Sequence, residues 1–298
     1  MRAVWLREFG PPSVLVAGEA DEPVAGDGQV VIEVAYANVT FVETQVRAGR
    51  GPFPVQLPTI PGNGVGGLVD GRRVLASLGG AGGGYAQRVA VDPGLLFDVP
   101  EGMALDHAVA LLADGRTATM LLRAAAVLPG ERVLVEAAAG GVGTQLVQLA
   151  KAAGATVVAA AGSAAKLELA RSLGADELVD YTRAEWSAGS LDVVFDGVGG
   201  AVGRRAFSQL APGGRMLSYG LASGSWAAIS ADEATARGVT LVQPDRSPDA
   251  LRSCTESALA AGTRTVIGQR FPLERAADAH AAIESRSTLG KTLLEVAS

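Results

Sequence analysis

The spacing of hydrophobic positions changes near residue 105. Before that point, short runs rich in β-branched residues partly alternate apolar and polar positions, and clusters of Gly and Pro separate them. The clearest runs are Gln29–Asn38, Arg73–Ala76 and Tyr85–Val91. Short strands with such punctuation predict a largely antiparallel sheet domain.

From residue 105 onward, helical and strand patterns alternate. The Ala- and Leu-rich segment Leu105–Leu128 predicts a helix that Pro129-Gly130 ends. Predicted strands at 132–137, 156–160, 177–180, 192–196, 215–220 and 239–242 then alternate with predicted helices at 142–153, 164–173 and 201–210. The early strands are nearly continuous apolar runs, which is typical of a parallel sheet covered on both faces. This order predicts a doubly wound α/β domain.

The two patterns predict two domains. Residues 1–112 and 246–298 would form the mostly antiparallel domain, and residues 113–245 the doubly wound domain. The last segment is assigned to the first domain because Gly290–Val296 has the pattern of a strand that returns to it.

Composition and charge limit the classes of function. Hydrophobic residues make up 48% of the 298 residues, which argues against disorder, and the net charge is −6 without a long basic run. This charge balance argues against a nucleic-acid or anionic-membrane partner. No apolar run approaches the roughly 20 residues that a membrane-spanning helix needs, and the first residues lack a signal-peptide pattern. We therefore expect a cytoplasmic protein.

The sequence offers few ligands for a transition metal. It has one cysteine, Cys254, and two histidines, His107 and His280, which lie far apart. Catalytic zinc sites use three protein ligands, so we expect no metal. His280 lies in a helical pattern and is predicted to be a surface or half-buried imidazole.

A glycine-rich segment lies between a predicted strand and a predicted helix. It contains Gly140, Gly141, Val142 and Gly143. Glycine allows a sharp turn and close approach to a pyrophosphate, and the helix N-terminus offers free amides to that anion. Gly143 would let the helix pack closely on the strand. A tight turn without a ligand is the alternative, but the surrounding βα pattern favours dinucleotide binding.

The end of the next predicted strand indicates which dinucleotide binds. NAD-binding folds usually have Asp or Glu there, but Val158–Lys166 contains no carboxylate. It offers the Ser163 hydroxyl and the Lys166 ammonium instead. These groups suit a ribose 2′-phosphate and favour NADPH over NADH. The alternative to phosphate binding is that Ser163 caps the helix and Lys166 is a surface charge. The cap role of Ser163 is also compatible with phosphate binding.

At this point the sequence resembles a known family. The stretch Ala137–Asp180 resembles the zinc-independent quinone oxidoreductase, or zeta-crystallin-like, branch of the medium-chain dehydrogenase/reductase superfamily. Further segments resemble the family in the expected order: Val39–Gly49, Pro61–Gly67 (its PGxExxG turn), Gly115–Ala118 (its GLTA helix), Phe195–Gly200, Tyr219–Gly224 and Gly290–Leu294. The resemblance covers nearly the whole chain.

The resemblance implies a fold, a cofactor and a partner. The fold would be α/β, with a Rossmann doubly wound parallel sheet, a GroES-like mostly antiparallel β domain and the active site in the cleft between them. The family implies NADPH without zinc, and a homodimer that pairs through the last Rossmann strand, here Val239–Val242.

The resemblance also implies the cofactor-binding residues. The glycine segment, residues 140–143, would hold the pyrophosphate, and Ser163 and Lys166 the 2′-phosphate. Tyr181 would lie at the adenosine end. Thr117 and the loop with Gly220, Leu221 and Ser223 would lie near the nicotinamide.

Three departures from the family bear on the substrate. The chain is shorter between Gly67 and Gly71 and after Trp226, and its active-site segment lacks the tyrosines of many quinone reductases, with Gln45 and Arg50 nearby instead. A third departure is Asn63, which stands where an acidic residue is common. These changes bear on quinone specificity more than on cofactor binding.

The expected reaction sends hydride to an electron-poor carbon conjugated to a carbonyl, so that the carbonyl oxygen becomes negative. Candidate donors to that oxygen are Thr40, Gln45, Asn63 and Thr117. Three of these residues could have purely structural roles instead: Thr40 at a strand end, Gln45 on an exposed helix surface and Asn63 in a turn. Acidic candidates are Glu43 and Asp114; Glu43 could instead pair with Arg47 at i,i+4.

The sequence therefore predicts an NADPH-dependent reductase that transfers hydride to a quinone or an α,β-unsaturated carbonyl compound. Two alternatives remain open. One is a dedicated enoyl reductase of a biosynthetic pathway, which the altered active-site segment would suit. The other is a non-catalytic NADPH-binding sensor.

Overall fold

The computed structural model describes residues 1–296. These residues divide into two compact units. The first contains Met1–Asp114 and the chain from Thr265 onward, and the second contains Gly115–Arg264. The boundaries predicted from the sequence, 112/113 and 245/246, differ from these, because the structure assigns residues 246–264 to the second unit.

Strands and helices are numbered in chain order. The strands are β1 Arg2–Leu6, β2 Leu15–Glu19, β3 Val30–Val39, β4 Gly64–Val69, β5 Arg72–Ser77, β6 Arg88–Val91, β7 Leu96–Asp98, β8 Arg132–Glu136, β9 Thr156–Ala161, β10 Glu177–Asp180, β11 Leu191–Asp196, β12 Leu210–Ser218, β13 Thr240–Leu241, β14 Ile267–Pro272 and β15 Lys291–Glu295. The helices are α1 Phe41–Arg47, α2 Leu105–Ala125, α3 Gly141–Ala152, α4 Ala164–Ser172, α5 Gly200–Ser208, α6 Ala231–Ala236, α7 Pro248–Ala260 and α8 Ala276–Glu284.

The first unit is built on a mostly antiparallel sheet. Its strands follow the order β14-β15-β3-β4-β5-β7, with β6 also paired to β3 and β1 paired separately to β2. The pair β14–β15 is parallel and the others are antiparallel. Side chains such as Ile32, Val65 and Val74 are fully buried in its core. The predicted sheet type is confirmed, and the predicted terminal strand pairs with β3.

A tight turn joins β4 and β5. Asp70 and Gly71 both have positive φ, 49° and 80°. This pair of residues and angles is typical of a two-residue hairpin turn that matches the twist of the strands. The short connection after Gly67 is therefore a closed hairpin.

The second unit contains a six-stranded parallel sheet in the order β10-β9-β8-β11-β12-β13. Counted from β8, this is the order 3-2-1-4-5-6 of a Rossmann sheet. The strands are apolar because helices cover both faces, and Val133, Leu134 and Val135 have no exposed surface. The predicted doubly wound class is confirmed. In such sheets ligands bind at the carboxyl ends of the strands where the order reverses, here beside β8.

Some predicted boundaries differ from the structure. Helix α2 ends at Ala125 rather than at residue 128, because Ala126 adopts a left-handed conformation with φ 47°. Helix α5 ends at Ser208, and Leu210 begins β12 instead of ending the helix. No helix within residues 1–296 has the length and apolarity needed to cross a membrane.

Candidate functional site

The turn between β8 and α3 leaves no room for a side chain at Gly143. A β-carbon there would lie 2.2 Å from the carbonyl oxygen of Ala137. Gly140 is the N-cap of α3, and no side chain caps this helix end. The amides of the next three residues, Gly141 to Gly143, have no intrahelical acceptor, because the first helical hydrogen bond runs from the Thr144 amide to the Gly140 carbonyl at 2.9 Å. The turn can therefore offer backbone amides and the helix dipole to an anion.

The carboxyl ends of β9 and β10 bring together the residues predicted for the 2′-phosphate and adenosine. Ser163 is exposed and caps α4, accepting a hydrogen bond from the Lys166 amide at 3.4 Å. Ser163 therefore has the helix-cap role that was the alternative to phosphate binding. The Tyr181 ring lies over Gly162, where a β-carbon would be 3.2 Å from the ring.

Two buried carboxyl groups lie at the carboxyl ends of neighbouring strands. Glu136 ends β8, Asp196 ends β11, and neither has exposed surface. The Val198 amide lies 3.2 Å from Glu136 Oε2 and 3.1 Å from Asp196 Oδ1. Asp196 also accepts hydrogen bonds from the Gly199 amide at 2.6 Å and the Ser218 hydroxyl at 2.8 Å. Burial, and then the Asp196 carboxylate, raise the pKa of Glu136 well above its usual range.

Sequence reasoning missed this pair. The signal was available, because an acid ends each of two otherwise apolar strands, in the segments Arg132–Glu136 and Leu191–Asp196. The pair fixes the start of the loop after β11, at the same sheet edge as the glycine turn.

The loop after β12 packs on the loop after β11. A β-carbon on Gly220 would lie 2.5 Å from the Gly197 carbonyl oxygen, and the Ser223 amide donates to the Val198 carbonyl at 2.8 Å. Leu221 lies between these contacts and is half-buried. The predicted nicotinamide loop is therefore held at the carboxyl edge of the sheet. Thr117, also predicted there, lies half-buried in α2.

The first unit brings two predicted donors together around an acid. Thr40 caps α1 in a capping box with Glu43. Its hydroxyl donates to Glu43 Oε2 at 3.0 Å, and its amide donates to the same oxygen at 2.7 Å. The Asn63 amide donates to Glu43 Oε1 at 2.9 Å, and Asn63 Nδ2 donates to Thr40 Oγ1 at 3.3 Å. Helix α1 and the turn before β4 are joined through this carboxyl group.

The Glu43 carboxyl group is buried, and its environment changes its acidity. Burial raises the pKa of Glu43 to about 7, although hydrogen bonds from Thr40 and Asn63 and the Lys291 ammonium act to lower it. Burial and the nearby Glu43 carboxylate raise the pKa of Tyr85 well above its usual range. The sequence carried one local signal for this group, the T-x-x-E spacing of a capping box.

Two sequence-based interpretations are wrong. His280 is fully buried rather than at the surface or half-buried, and its Nε2 lies 3.0 Å from the Tyr85 hydroxyl. Burial and the Arg47 guanidinium lower the pKa of His280 to about 3. Arg47 is also buried and forms its ion pair with Glu284 on α8, not with Glu43.

Gln45 and Asp114 have other contacts. Gln45 is half-buried, and its Nε2 donates to Thr44 Oγ1 at 3.1 Å rather than joining Thr40 and Asn63. Asp114 lies 3.3 Å from the Lys291 ammonium. Among residues 1–296, no three His, Cys, Asp or Glu side chains are grouped so that they could hold a metal ion.

Comparison with known proteins places this arrangement in a family. The family described as zinc-binding dehydrogenases matches residues 141–268, which include α3 and the sheet edge described above. A probable quinone oxidoreductase of Schizosaccharomyces pombe is 33% identical, with 98% of this chain and 96% of that protein covered. The chain belongs to the zinc-independent quinone oxidoreductase family of the medium-chain dehydrogenases/reductases. The family resemblance predicted from the sequence is confirmed.

Other relatives agree over nearly full length. The quinone oxidoreductase of Thermus thermophilus, solved alone and with NADPH, superposes with a TM-score of 0.86 and 34% identity, covering 99% of this chain and 100% of that one. A 2-haloacrylate reductase of a Burkholderia species is 30% identical, with 98% of each chain covered. The family therefore includes a quinone oxidoreductase and a reductase named for an α,β-unsaturated acid.

Proposed function

We propose that the protein is an NADPH-dependent reductase that transfers hydride to a quinone or an α,β-unsaturated carbonyl compound. The observation that carries the proposal is the β8–α3 turn, where Gly143 has no room for a side chain and the helix N-terminus is left open. A quinone oxidoreductase relative solved with NADPH supports the same cofactor. The sequence after β9, which has no carboxylate, favours NADPH over NADH.

The chemistry of several residues in the second unit supports this cofactor. The turn amides of Gly141 to Gly143 suit the pyrophosphate, because they lie at a helix N-terminus beside the point where the strand order reverses. The Gly140 amide donates to the Ala137 carbonyl at 2.8 Å, so Gly140 contributes the turn rather than a donor. Ser163, Lys166 and Tyr181 suit the phosphorylated adenosine end. Thr117 and the loop with Gly220, Leu221 and Ser223 suit the nicotinamide end. When bound, NADPH supplies the hydride.

The contribution of the protein at the acceptor is to orient it and stabilise charge. Hydride addition to a conjugated carbon makes the carbonyl oxygen negative, and preorganised donors stabilise that charge. We assign this role to Thr40 and Asn63, two half-buried residues whose Oγ1 and Nδ2 atoms lie 3.3 Å apart. Gln45, predicted beside them, is hydrogen-bonded to Thr44 and receives less support.

We also propose a homodimer that pairs through β13. This strand is an outer strand of the parallel sheet, so one edge of its backbone is available for pairing. Sedimentation of the wild-type chain and of Leu241→Pro tests the pairing, because proline removes a backbone donor. Loss of the dimer in the variant is expected, and a dimer that persists would contradict this interface.

The experiment that tests the function is NADPH oxidation against a panel of acceptors. The panel contains ortho- and para-quinones, short enones and an enoyl thioester, with NADH as the control cofactor. We expect turnover of a quinone or an enone with preference for NADPH. Turnover of the thioester alone would favour the dedicated enoyl reductase, and saturable NADPH binding without any turnover would favour the sensor.

A further inference from the structure

The Thr40 hydroxyl has one hydrogen and several polar neighbours. It donates that hydrogen to Glu43 Oε2 at 3.0 Å, while the Glu43 amide and Asn63 Nδ2 point donors at its oxygen from 3.4 and 3.3 Å. A hydroxyl can donate only once. While Glu43 is a carboxylate, the hydrogen of Thr40 is therefore held by Glu43 and is not offered to another oxygen.

Protonation of Glu43 reverses this hydrogen bond. A protonated carboxyl group has an O–H donor of its own, which can point at Thr40 Oγ1 across the same 3.0 Å. It replaces the longer hydrogen bond from the Glu43 amide, at 3.4 Å, because a hydroxyl oxygen accepts only two hydrogen bonds. The hydrogen of Thr40 is then free to point elsewhere. The protonation state of Glu43 thus decides whether Thr40 can act as a donor to a substrate oxygen.

The surroundings of Glu43 leave Thr40 as its route for proton transfer. Only 5% of Glu43 is exposed. Its other hydrogen-bond partners in residues 1–296 are the backbone amides of Thr40 and Asn63, which cannot take up a proton, and the Tyr85 hydroxyl. Beyond Tyr85 lies only His280, whose pKa of about 3 makes it a poor proton acceptor. Tyr85 faces the carboxyl group, but its own high pKa keeps its proton in place.

The other charged and titratable groups near the carboxyl group come from four elements. Lys291 on β15 acts on Glu43 and pairs with Asp114 on α2, and the neutral His280 on α8 contacts Tyr85. Arg47 on α1 is paired with Glu284 on α8. Of these groups, Lys291 favours the carboxylate form of Glu43.

We propose that Glu43 is a positioning residue that stores a proton and delivers it to the acceptor oxygen through Thr40 Oγ1. The proposal rests on the proposed function. As hydride adds to the conjugated carbon, the carbonyl oxygen takes the hydrogen of Thr40. Thr40 Oγ1 takes the proton of Glu43, which becomes a carboxylate. One hydride and one proton have then entered the substrate, and solvent returns the proton to Glu43 through the same hydroxyl.

Proton delivery from Glu43 predicts the direction in which kcat/KM changes with pH. Burial raises the pKa of Glu43 to about 7. Below that pH Glu43 holds a proton and Thr40 can donate; above it Glu43 holds the hydrogen of Thr40. The value of kcat/KM for an enone should therefore fall as pH rises through about 7.

The test compares the pH profile of kcat/KM in four proteins: wild type, Thr40→Ser, Thr40→Val and Glu43→Gln. Thr40→Ser keeps the hydroxyl and should keep the falling limb. Thr40→Val has nearly the same shape without the hydroxyl and should lower kcat/KM by roughly 10- to 100-fold at low pH and lose the limb. Glu43→Gln should lose the limb, because an amide does not titrate. A limb that persists unchanged in both Thr40→Val and Glu43→Gln would overturn the proposal.

A second measurement does not depend on turnover. The infrared stretch of a protonated carboxyl group is measured in the full-length wild type and in Glu43→Gln, both without substrate, and one spectrum is subtracted from the other so that the buried Glu136 cancels. The difference band should be present at about pH 6 and absent at about pH 8.5. If no acceptor is reduced but this band titrates, the proposed function fails while the proton store stands. If an acceptor is reduced but no such band titrates, the function stands and the proton store is wrong. If Glu43→Gln does not fold, the Thr40 pair decides the delivery step.

Discussion

Gly143 lies so close to Ala137 that a β-carbon on the glycine would be 2.2 Å from the alanine carbonyl oxygen. Real β-carbons do not approach a backbone oxygen this closely, so even a methyl group must push α3 away from β8. Because the amides of the turn sit on this helix end, the contact links packing to anion binding.

Gly143→Ala should therefore destabilise the protein and weaken NADPH binding. Overpacking of this kind costs about 1–3 kcal/mol, which outweighs the roughly 1 kcal/mol that Ala gains over Gly in a helix. We expect a lower free energy of unfolding and at least a roughly tenfold rise in the Kd for NADPH. Gly94→Ala is the control, since a β-carbon there meets nothing within 4 Å. Equal NADPH affinity in the two variants would contradict the geometry.

Lys166→Glu should weaken NADPH binding more than NADH binding. A charge-assisted hydrogen bond to the 2′-phosphate is worth about 1.5–3 kcal/mol, or roughly 10- to 100-fold in Kd, and only NADPH carries that phosphate. Arg171→Glu makes the same change of charge near the other end of α4 and serves as the control. The measurement is the ratio of the two dissociation constants by fluorescence titration. If the ratio is unchanged in Lys166→Glu, a residue other than Lys166 binds the 2′-phosphate.

Glu136→Gln should remove a loss of stability at high pH. The pKa of Glu136 is raised in the folded protein, so the folded state binds its proton more tightly than the unfolded state. Stability is therefore lost as pH rises from the unfolded pKa toward the folded one. Gln cannot ionise and can still donate to Asp196. We expect urea denaturation to favour the variant increasingly from about pH 5 to 9.

Glu131→Gln is the matched control with the opposite sign. Both oxygens of Glu131 pair with Arg215, at 2.8 and 2.7 Å, and the hydrogen bonds from Arg215 lower its pKa. Its contribution is present at neutral pH and is lost as pH falls, so this variant should be destabilised at pH 7 by about 1–3 kcal/mol. The same pH trend in both variants would refute the assignment of the buried pair.

His280 should make the protein sensitive to mild acid. Its pKa is about 3 when folded, against 6.5 for an ordinary imidazole, so the unfolded state binds a proton first as pH falls. Stability is lost from about pH 6.5 downward, on the order of 2 kcal/mol by pH 5. His280→Gln does not titrate, so the stability difference between wild type and variant should shrink by that amount between pH 7 and 5. A constant difference would show that His280 is accessible to protons in the folded state. Glu43, whose folded pKa is raised, acts with the opposite sign in both proteins and cancels in this difference.

Local patterns were sufficient to predict the strand, glycine turn and helix around Gly143. The strand, glycine turn and helix around Gly143 are contiguous in sequence, and the structure places β8 and α3 within one residue of the predicted bounds. Strand β10 has the predicted bounds, Glu177–Asp180. These elements follow from short-range periodicity and from turn chemistry, which a single sequence displays.

The contacts around Glu43 could not be predicted in the same way. Thr40 and Glu43 form a visible capping box, but the two other contacts join Asn63 across 20 residues and Tyr85 to His280 across 195 residues. Tertiary packing decides such contacts, and nothing in the local pattern distinguishes a buried His280 from an exposed one.

The domain boundary was missed for a similar reason. Nothing in the sequence of helix α7 indicates which of the two units it belongs to. It lies with the second unit through hydrogen bonds from Arg123 to Ser253 and Ser257, at 3.1 and 2.6 Å.

The transfer of deuterium from NADPH labelled at C4 tests the proposed reaction most directly. The two C4-deuterated forms, one labelled on each face of the nicotinamide, are used separately with an enone, because a quinone product would exchange its label with water. We predict that one of the two forms places deuterium on the carbon β to the carbonyl and that the other does not. Saturable NADPH binding with no deuterium in any product, across the whole enone panel, would contradict hydride transfer to this class of acceptor.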